Sequence, residues 1–271
     1  MVMSKAKKIS VLNYAFAIGR IRELENFLIK REVFEQTIEI DLNEALRLFV
    51  ESDLYSEELL HVKNSQELEE VLKKELLKLK KLMSDLLLDK GLLGFIEDGA
   101  LERMRKVLIS YPSEFLKDYI MHLTDMHNIK SFLRLYLLKE PVEKLKITLT
   151  SEGFIKRYEF LRLYEADLAL FLNRLEYVHK HNQIIDYAYF LREAIKKLEK
   201  ENSFVSLEKA IDDFLIEVLR PAKYLSLGPE PLLAYYFAKV NEINLIRMII
   251  LAKFNAVSLD LVSERLNQVY A

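Results

Sequence analysis

Glu58-Leu-Leu-His61 and Glu176-Tyr-Val-His179 are two Glu-x-x-His motifs, and their residue types and spacing spell out a specific chemistry. On a helix such a motif sets a carboxylate and an imidazole on one face, and two motifs joined by two more glutamates ligate the paired irons of ferritin-like bundles. The expectation here is nevertheless that no metal binds. Glutamate is abundant and the chain has five histidines, so such matches arise by chance, and Glu58 lies in a short, polar, weakly periodic segment. His122 with His127, and His179 with His181, are close pairs without the further ligands a zinc site needs. The six glycines, Gly19, Gly91, Gly94, Gly99, Gly153 and Gly228, are scattered, and Gly-Lys-Ser and Gly-Lys-Thr are absent, so no phosphate loop is present. No serine stands in a nucleophile-elbow pattern. Zero cysteines exclude disulfides, thiolate nucleophiles and zinc–thiolate sites together, which fits a reducing compartment. These residues therefore predict no catalytic group, no cofactor and no metal.

What remains is a set of polar residues beside strongly apolar positions: Asp125, Asn128, Arg134, Asp167, Asn244 and Arg247. An unpaired buried polar group costs about 1–3 kcal/mol. These residues are expected to brace one helix against another or against a helix end, as opposed to lining a ligand site. A local alternative makes Thr124 or Asp125 an N-cap, so that the helix breaks there.

The elements that hold these residues share a pattern. From Gly228 to Asn255, Tyr235 is followed by Asn241, Asn244 and the apolar triplet Leu245, Met248 and Ile249, which i, i+3, i+4 spacing puts on one helical face. The same offsets return at Tyr119, Asp125, Asn128, Ile129, Phe132 and Leu133, and in a more divergent form at Tyr14, Arg20, Glu23, Leu24, Phe27 and Leu28. One supersecondary unit used three times would explain this, each copy covering its neighbour's apolar face. The approximate units are 1–110, 111–220, and 221–271 with packing from the N-terminal part, all within a single domain of 1–271.

In chain order, a helix is expected from Ile9 to Arg31, ending in a basic cluster, then short helices near Leu42–Glu51 and Glu57. Asn64 and Glu67 form a capping box opening a long helix, Ser65–Lys90, which Gly91 terminates. Its stripe of Leu68, Val71, Leu72, Leu76, Leu79 and Leu82 or Met83 is expected to pack within its own domain, with a coiled-coil partner as the alternative. Gly94 and Gly99 bracket a loop, Pro112-Ser113 opens the second repeat helix, and Pro141 ends it. One helix is expected from Arg157 to Tyr177 around Asp167, then Asn182–Glu199 and Ser206–Leu219. The prolines 229 and 231 open the third repeat helix, and Ser258 caps a last one running to the terminus.

Hydrophobic residues at 51% and charged residues at 30% rule out a disordered or membrane-embedded chain. Six glycines and five prolines leave few places for sheet turns, so the fold class is all-α. Forty basic against 42 acidic residues give no excess to neutralise phosphates, so nucleic acid is not an expected partner. Lys5, Lys7 and Lys8 precede an apolar run that Asn13 interrupts, which argues against a signal peptide. No window has the roughly 18 apolar residues of a spanning helix.

At the repeats the sequence resembles a known family. Gly228-Pro-Glu-Pro-Leu-Leu-Ala-Tyr, then Asn241-Glu-Ile-Asn-Leu-Ile-Arg247 and the Ser258–Val269 segment, resemble the C-terminal signature of the C subunits of V/A-type ATPases (ATP synthases), which are similar to the d subunit of the eukaryotic vacuolar ATPase. Asp125-Met-His-Asn-Ile-Lys-Ser-Phe-Leu-Arg134 resembles that family's central motif, Tyr14–Leu28 with Arg20-Ile-Arg22 its N-terminal helix, and Leu163–Phe171 around Asp167 another of its helices. The segment Glu57–Gly99 is unfamiliar against that pattern. The resemblance implies a funnel-shaped, non-catalytic helical protein of three pseudo-repeated units. It would lie on the cytoplasmic side, peripheral to the membrane, between the central-axle subunits of the soluble motor and the membrane rotor ring. The competing expectation is a stand-alone helical repeat scaffold that binds a protein partner.

Overall fold

Helices dominate the computed structural model, which describes residues 11–52, 55–96, 101, 104–106 and 113–271. In chain order they are α1 (Ala15–Glu25), α2 (Arg31–Glu39), α3 (Leu42–Ser52), α4 (Ser65–Leu86), α5 (Glu114–Leu137), α6 (Val142–Thr148), α7 (Arg157–Tyr164) and α8 (Leu168–Leu175). A hairpin of β1 (Val178–Lys180) and β2 (Gln183–Ile185) follows, then α9 (Tyr187–Glu201), α10 (Val205–Leu219), α11 (Glu230–Phe254) and α12 (Leu259–Arg265). Among the described residues the protein is all-α apart from that hairpin. Gly99 and Pro112 lie outside the described residues.

The chain divides into two compact units, Met1–Arg103 with Leu219–Ala271, and Met104–Val218. In the first, α11 runs against α1, α2, α3 and α4. Its residues Leu232, Leu233, Ala234, Tyr235, Tyr236 and Ala238 are all buried, so apolar side chains cover every face, as suits a central helix. In the second, α5 is the long helix against which α6 and α7 pack, with Phe132 stacked on Phe171 at 4.0 Å between ring centroids. Tyr14, Tyr119 and Tyr235, the aromatic of each sequence pattern, are all buried.

Local signals place several helix starts where they were expected. Asn64 Oδ1 accepts from the Glu67 N–H at 3.0 Å, and Glu67 in turn accepts from the Lys63 N–H at 2.8 Å, one residue earlier than in a standard capping box. Ser113 Oγ accepts from the Leu116 N–H at 3.2 Å and opens α5. Pro141, expected only to end the preceding helix, which stops at Leu137, is also the N-cap of α6, a short helix not expected from the sequence, and Lys139 before it turns to φ 52. Gly228, at φ +92, sits immediately before the α11 N-cap Pro229.

Elsewhere tertiary contacts overrule the local reading. The first helix stops at Glu25, and Arg31 opens the next helix, because the Ile29 N–H donates to Glu242 at 2.6 Å and Leu28 and Ile29 are both buried. Phe27, left in the turn, is exposed. The long charged helix ends at Leu86, where Leu87 is buried and the Asp89 N–H donates to the Tyr14 hydroxyl at 3.1 Å. Gly91 lies in a short 3-10 turn instead of closing the helix. The stripe of α4 faces α11, with Glu75 buried inside it while Leu76 and Leu82 are half-buried.

The expected Arg157–Tyr177 helix is two helices, because exposed Asp167 caps α8 by accepting from the Ala169 N–H at 3.1 Å. The start of the expected Asn182–Glu199 helix is the hairpin, turned at His181 with φ 50 and followed by the Asp186 cap of α9. The last helix ends at Arg265, short of the terminus, because Leu266 and Tyr270 are buried and Asn241 donates to the Gln268 carbonyl at 3.1 Å. No break occurs at Thr124 or Asp125: α5 runs through both, and Thr124 Oγ1 bonds back to the Ile120 carbonyl at 2.7 Å.

Candidate functional site

The residues that suggested metal chemistry are engaged elsewhere. Glu58 pairs with Lys74 at 2.6 Å and Glu176 with Arg192, while His61 and His179 are exposed. The two Glu-x-x-His motifs lie in different units. His122 is buried and His127 exposed on the same helix, so that pair does not converge. His181 does approach Glu114 and Asp118, with Nε2 3.4 Å from an Asp118 oxygen, but the Lys180 ammonium already sits 2.7 Å from the other. That arrangement is a surface ion-pair cluster.

The most constrained polar site among the described residues is built on α5. Asp125 is fully buried, and Gly153 lets the loop after α6 pass directly over it. A Cβ at Gly153 would overlap the Asp125 carboxylate and lie 2.7 Å from the Met121 carbonyl. The Phe154 N–H donates to Asp125 Oδ2 at 2.9 Å, the Ile155 N–H to Oδ1 at 3.2 Å, and the Tyr187 hydroxyl from α9 to Oδ2 at 2.9 Å. Burial pushes this carboxyl up to about 7, against the Tyr187 hydroxyl, the two amides and the charge of Arg174. One turn on, Asn128 accepts from the Thr150 N–H at 3.0 Å and donates to the Ser151 carbonyl at 3.3 Å. One turn back, His122 Nδ1 lies 2.8 Å from the Tyr187 hydroxyl, its ring between Phe154 and Phe214. Burial and then the charge of Lys180 hold its imidazole down to about 4.

The first unit has a counterpart on α11. Glu242 is buried and accepts from the Ile29 N–H at 2.6 Å and the Tyr55 hydroxyl at 2.8 Å, with the Lys239 ammonium bound to it. Burial lowers Lys239 against the pull of that carboxylate, and burial followed by Glu242 raises the Tyr55 phenol well above its ordinary value. Arg22 on α1 reaches the carbonyls of Ala222 and Leu225, both at 2.8 Å, while pairing with Glu25.

Residues 95–265, the larger part of the chain and every element of the α5 site, match the family described as ATP synthase (C/AC39) subunit. The chain belongs to this family. Among its curated relatives, the C subunit of the V-type sodium ATPase of Enterococcus hirae is 31% identical over 162 residues, a stretch covering 60% of this chain and 46% of that protein. The chain thus spans less than half the length of the curated relative it matches.

Within this C/AC39 family member, the residues singled out in the sequence have different fates. Asp125, Asn128 and Arg22 join a helix to backbone far along the chain. Arg20 is exposed and meets Glu23 on its own helix at 2.7 Å. Exposed Arg134 stacks over the Phe204 ring at 5.3 Å, and Asp167 serves its own helix as a cap. Asn244 accepts from Arg247, which also reaches Glu69 on α4 at 2.9 Å. Gly153, Tyr187, His122, Glu242 and Tyr55 carry no comparable signal in the sequence. Apart from Lys239, three residues before Glu242, the hydrogen-bonding partners that define this set lie 29 to 213 positions apart, so spacing holds no trace of them; the Ser-Glu-Gly stretch before Phe154 is the nearest local signal.

Proposed function

We propose that this chain is a non-catalytic central-stalk subunit of a V/A-type rotary ATPase, coupling the central axle to the membrane rotor ring so that torque passes between ATP hydrolysis or synthesis and transport of H+ or Na+. Family membership over residues 95–265 is the observation that carries this reading. The name of the Enterococcus hirae relative, a subunit of a V-type sodium ATPase, points the same way. No helix among the described residues is long and apolar enough to cross a membrane; in this reading, which rests on the family, the protein sits peripherally on the cytoplasmic side, held through the ring.

A part that transmits torque needs stiffness more than reactivity. In this proposal Arg22, Asp125 and Asn128, with Arg134 and Arg247 in lesser roles, brace helices against distant segments, and Arg20, Asp167 and Asn244 stiffen their own helices, within three pseudo-repeated units that receive the axle. Contacts to an axle and a ring of different symmetry would be polar and distributed.

The test is removal of this chain from the native complex. Membranes lacking it should lose the soluble head to the supernatant, while the released head keeps its ATP hydrolysis. Retention of the head on those membranes, or co-purification of the chain with unrelated proteins only, would overturn the assignment and favour a stand-alone helical scaffold.

A further inference from the structure

Among the described residues, every hydrogen-bonding neighbour of Asp125 is a donor, and that restricts where protons can sit. The Phe154 and Ile155 amides cannot reverse their roles, and both carboxylate oxygens are taken by them. Only Tyr187 can turn its hydroxyl, because its oxygen lies 2.9 Å from Asp125 Oδ2 on one side and 2.8 Å from His122 Nδ1 on the other. When Asp125 is ionised, Tyr187 donates to it, and His122 must then donate from Nδ1–H to the phenol oxygen. When Asp125 is protonated on Oδ2, its hydroxyl can donate to the Tyr187 oxygen 2.9 Å away. Tyr187 must then donate to His122 Nδ1, which has to be bare, leaving the imidazole proton on Nε2.

We propose that His122, Tyr187 and Asp125 form a proton relay in which uptake of one proton by Asp125 switches His122 from the Nδ1–H to the Nε2–H tautomer. The proton balance closes. One proton enters at His122 Nε2, the Nδ1 proton passes to the Tyr187 oxygen, and the Tyr187 proton passes to Asp125 Oδ2. The trio gains one proton, and its charge changes from negative to neutral.

The surroundings fit a relay that answers to pH. Facing it are Asp118 on α5, Lys180 and His181 on the hairpin, Arg174 on α8 and, near Tyr119, Asp212 on α10. Arg105 binds Thr124 Oγ1 and the Glu152 carbonyl beside the same loop, and Glu159 holds Arg174. Lys180 and Asp118 act on His122, and Arg174 on Asp125, through their charge, whereas Tyr187 is bonded to both members of the pair it separates. Burial raises the Asp125 carboxyl to about 7 and lowers the imidazole to about 4, so the carboxyl takes up its proton while the ring stays neutral. The loop from Thr150 to Ile155 hangs on Asp125 and on Asn128 one turn away.

The experiment is long-range proton–nitrogen NMR of the full chain labelled with nitrogen-15 histidine, followed from about pH 9 to about pH 5, on either side of the Asp125 value. His122 should be Nδ1–H at the alkaline end and Nε2–H at the acidic end, without passing through imidazolium. In Tyr187→Phe the tautomer should not change with pH. In Asp125→Asn, which has no proton to take up, the His122 tautomer should likewise not change with pH, and this variant carries the test if Tyr187→Phe does not fold. A wild-type His122 that keeps one tautomer across this range overturns the relay, as does a tautomer switch that persists in either variant.

Discussion

The two long helices, α5 and α11, put buried carboxylates to opposite uses. Asp125 on α5 binds a loop that follows it by 29 and 30 residues, so the second unit closes on a contiguous stretch of chain. Glu242 on α11 binds Ile29 and Tyr55, 213 and 187 residues earlier, and the first unit cannot close until both ends of the chain are present. Asn241, which occupies in the α11 pattern the place Asp125 holds in α5, reverses the direction of the bond by donating to the Gln268 carbonyl. Similar sequence patterns therefore fix a following segment in both units, but the first unit needs an additional long-range clamp. That clamp carries a compensating cation, Lys239, where the α5 site relies on neutral donors.

The comparison breaks most readily at Glu242. Glu242→Ala leaves a buried ammonium, an amide and a phenol without their acceptor, and should cost about 3–5 kcal/mol in urea unfolding. Amide hydrogen exchange should speed in α2, α3 and α11 and leave α5 unchanged; equal loss in both units would mean that the clamp is not local to one. Gly153→Ala drives a methyl into Asp125 and should cost about 1–3 kcal/mol, with faster exchange at Phe154 and Ile155. Unchanged exchange at those amides would contradict the close passage.

The pH dependence sharpens the contrast further. Asp125, raised to about 7 from an ordinary value near 3.8, contributes stability that is complete below about 4 and is lost as pH rises through 7. His122, lowered to about 4 from 6.5, contributes stability that is complete above 6.5 and is lost as pH falls toward 4. The two slopes oppose each other. Asp125→Asn removes the first, so its urea midpoint should rise from about pH 4.5 to about pH 6.5 more steeply than that of the unaltered protein. Smallest of all, Arg247→Ala and Arg20→Ala remove exposed pairs and should each change stability by less than about 1 kcal/mol; a larger loss at Arg247 would promote its bond to Glu69 to a structural clamp.

How much of this was legible in the sequence depends on how local the deciding interaction is. Asn64 and Ser113 act on nearby backbone, and the helix starts they mark are where they were expected. Asp167 carries an equally local signal, but its apolar neighbours suggest a continuous helix around it and mask the cap. The hairpin at Val178–Ile185 escapes a sequence reading for a related reason: its strands are too short to establish a period, and the turn depends on His181 at φ 50. The apolar stripe on α4 is readable, yet Glu75 within it is not, since only the Ser56 N–H and Lys78 make that place habitable for a carboxylate.

By itself the sequence determined an all-helical fold class without cysteine, the caps at Asn64 and Ser113, and the motifs that resemble its family, because each follows from residue type or from spacing along one helix. The tertiary structure alone decided where α1, α4 and α12 stop, that Asp125 and Glu242 are the buried acceptors, and that Gly153 and Tyr187 complete the α5 site. Those outcomes depend on which distant backbone amide or hydroxyl arrives beside a side chain. A carboxylate among apolar residues announces that it needs donors, but chain closure selects which donors it gets.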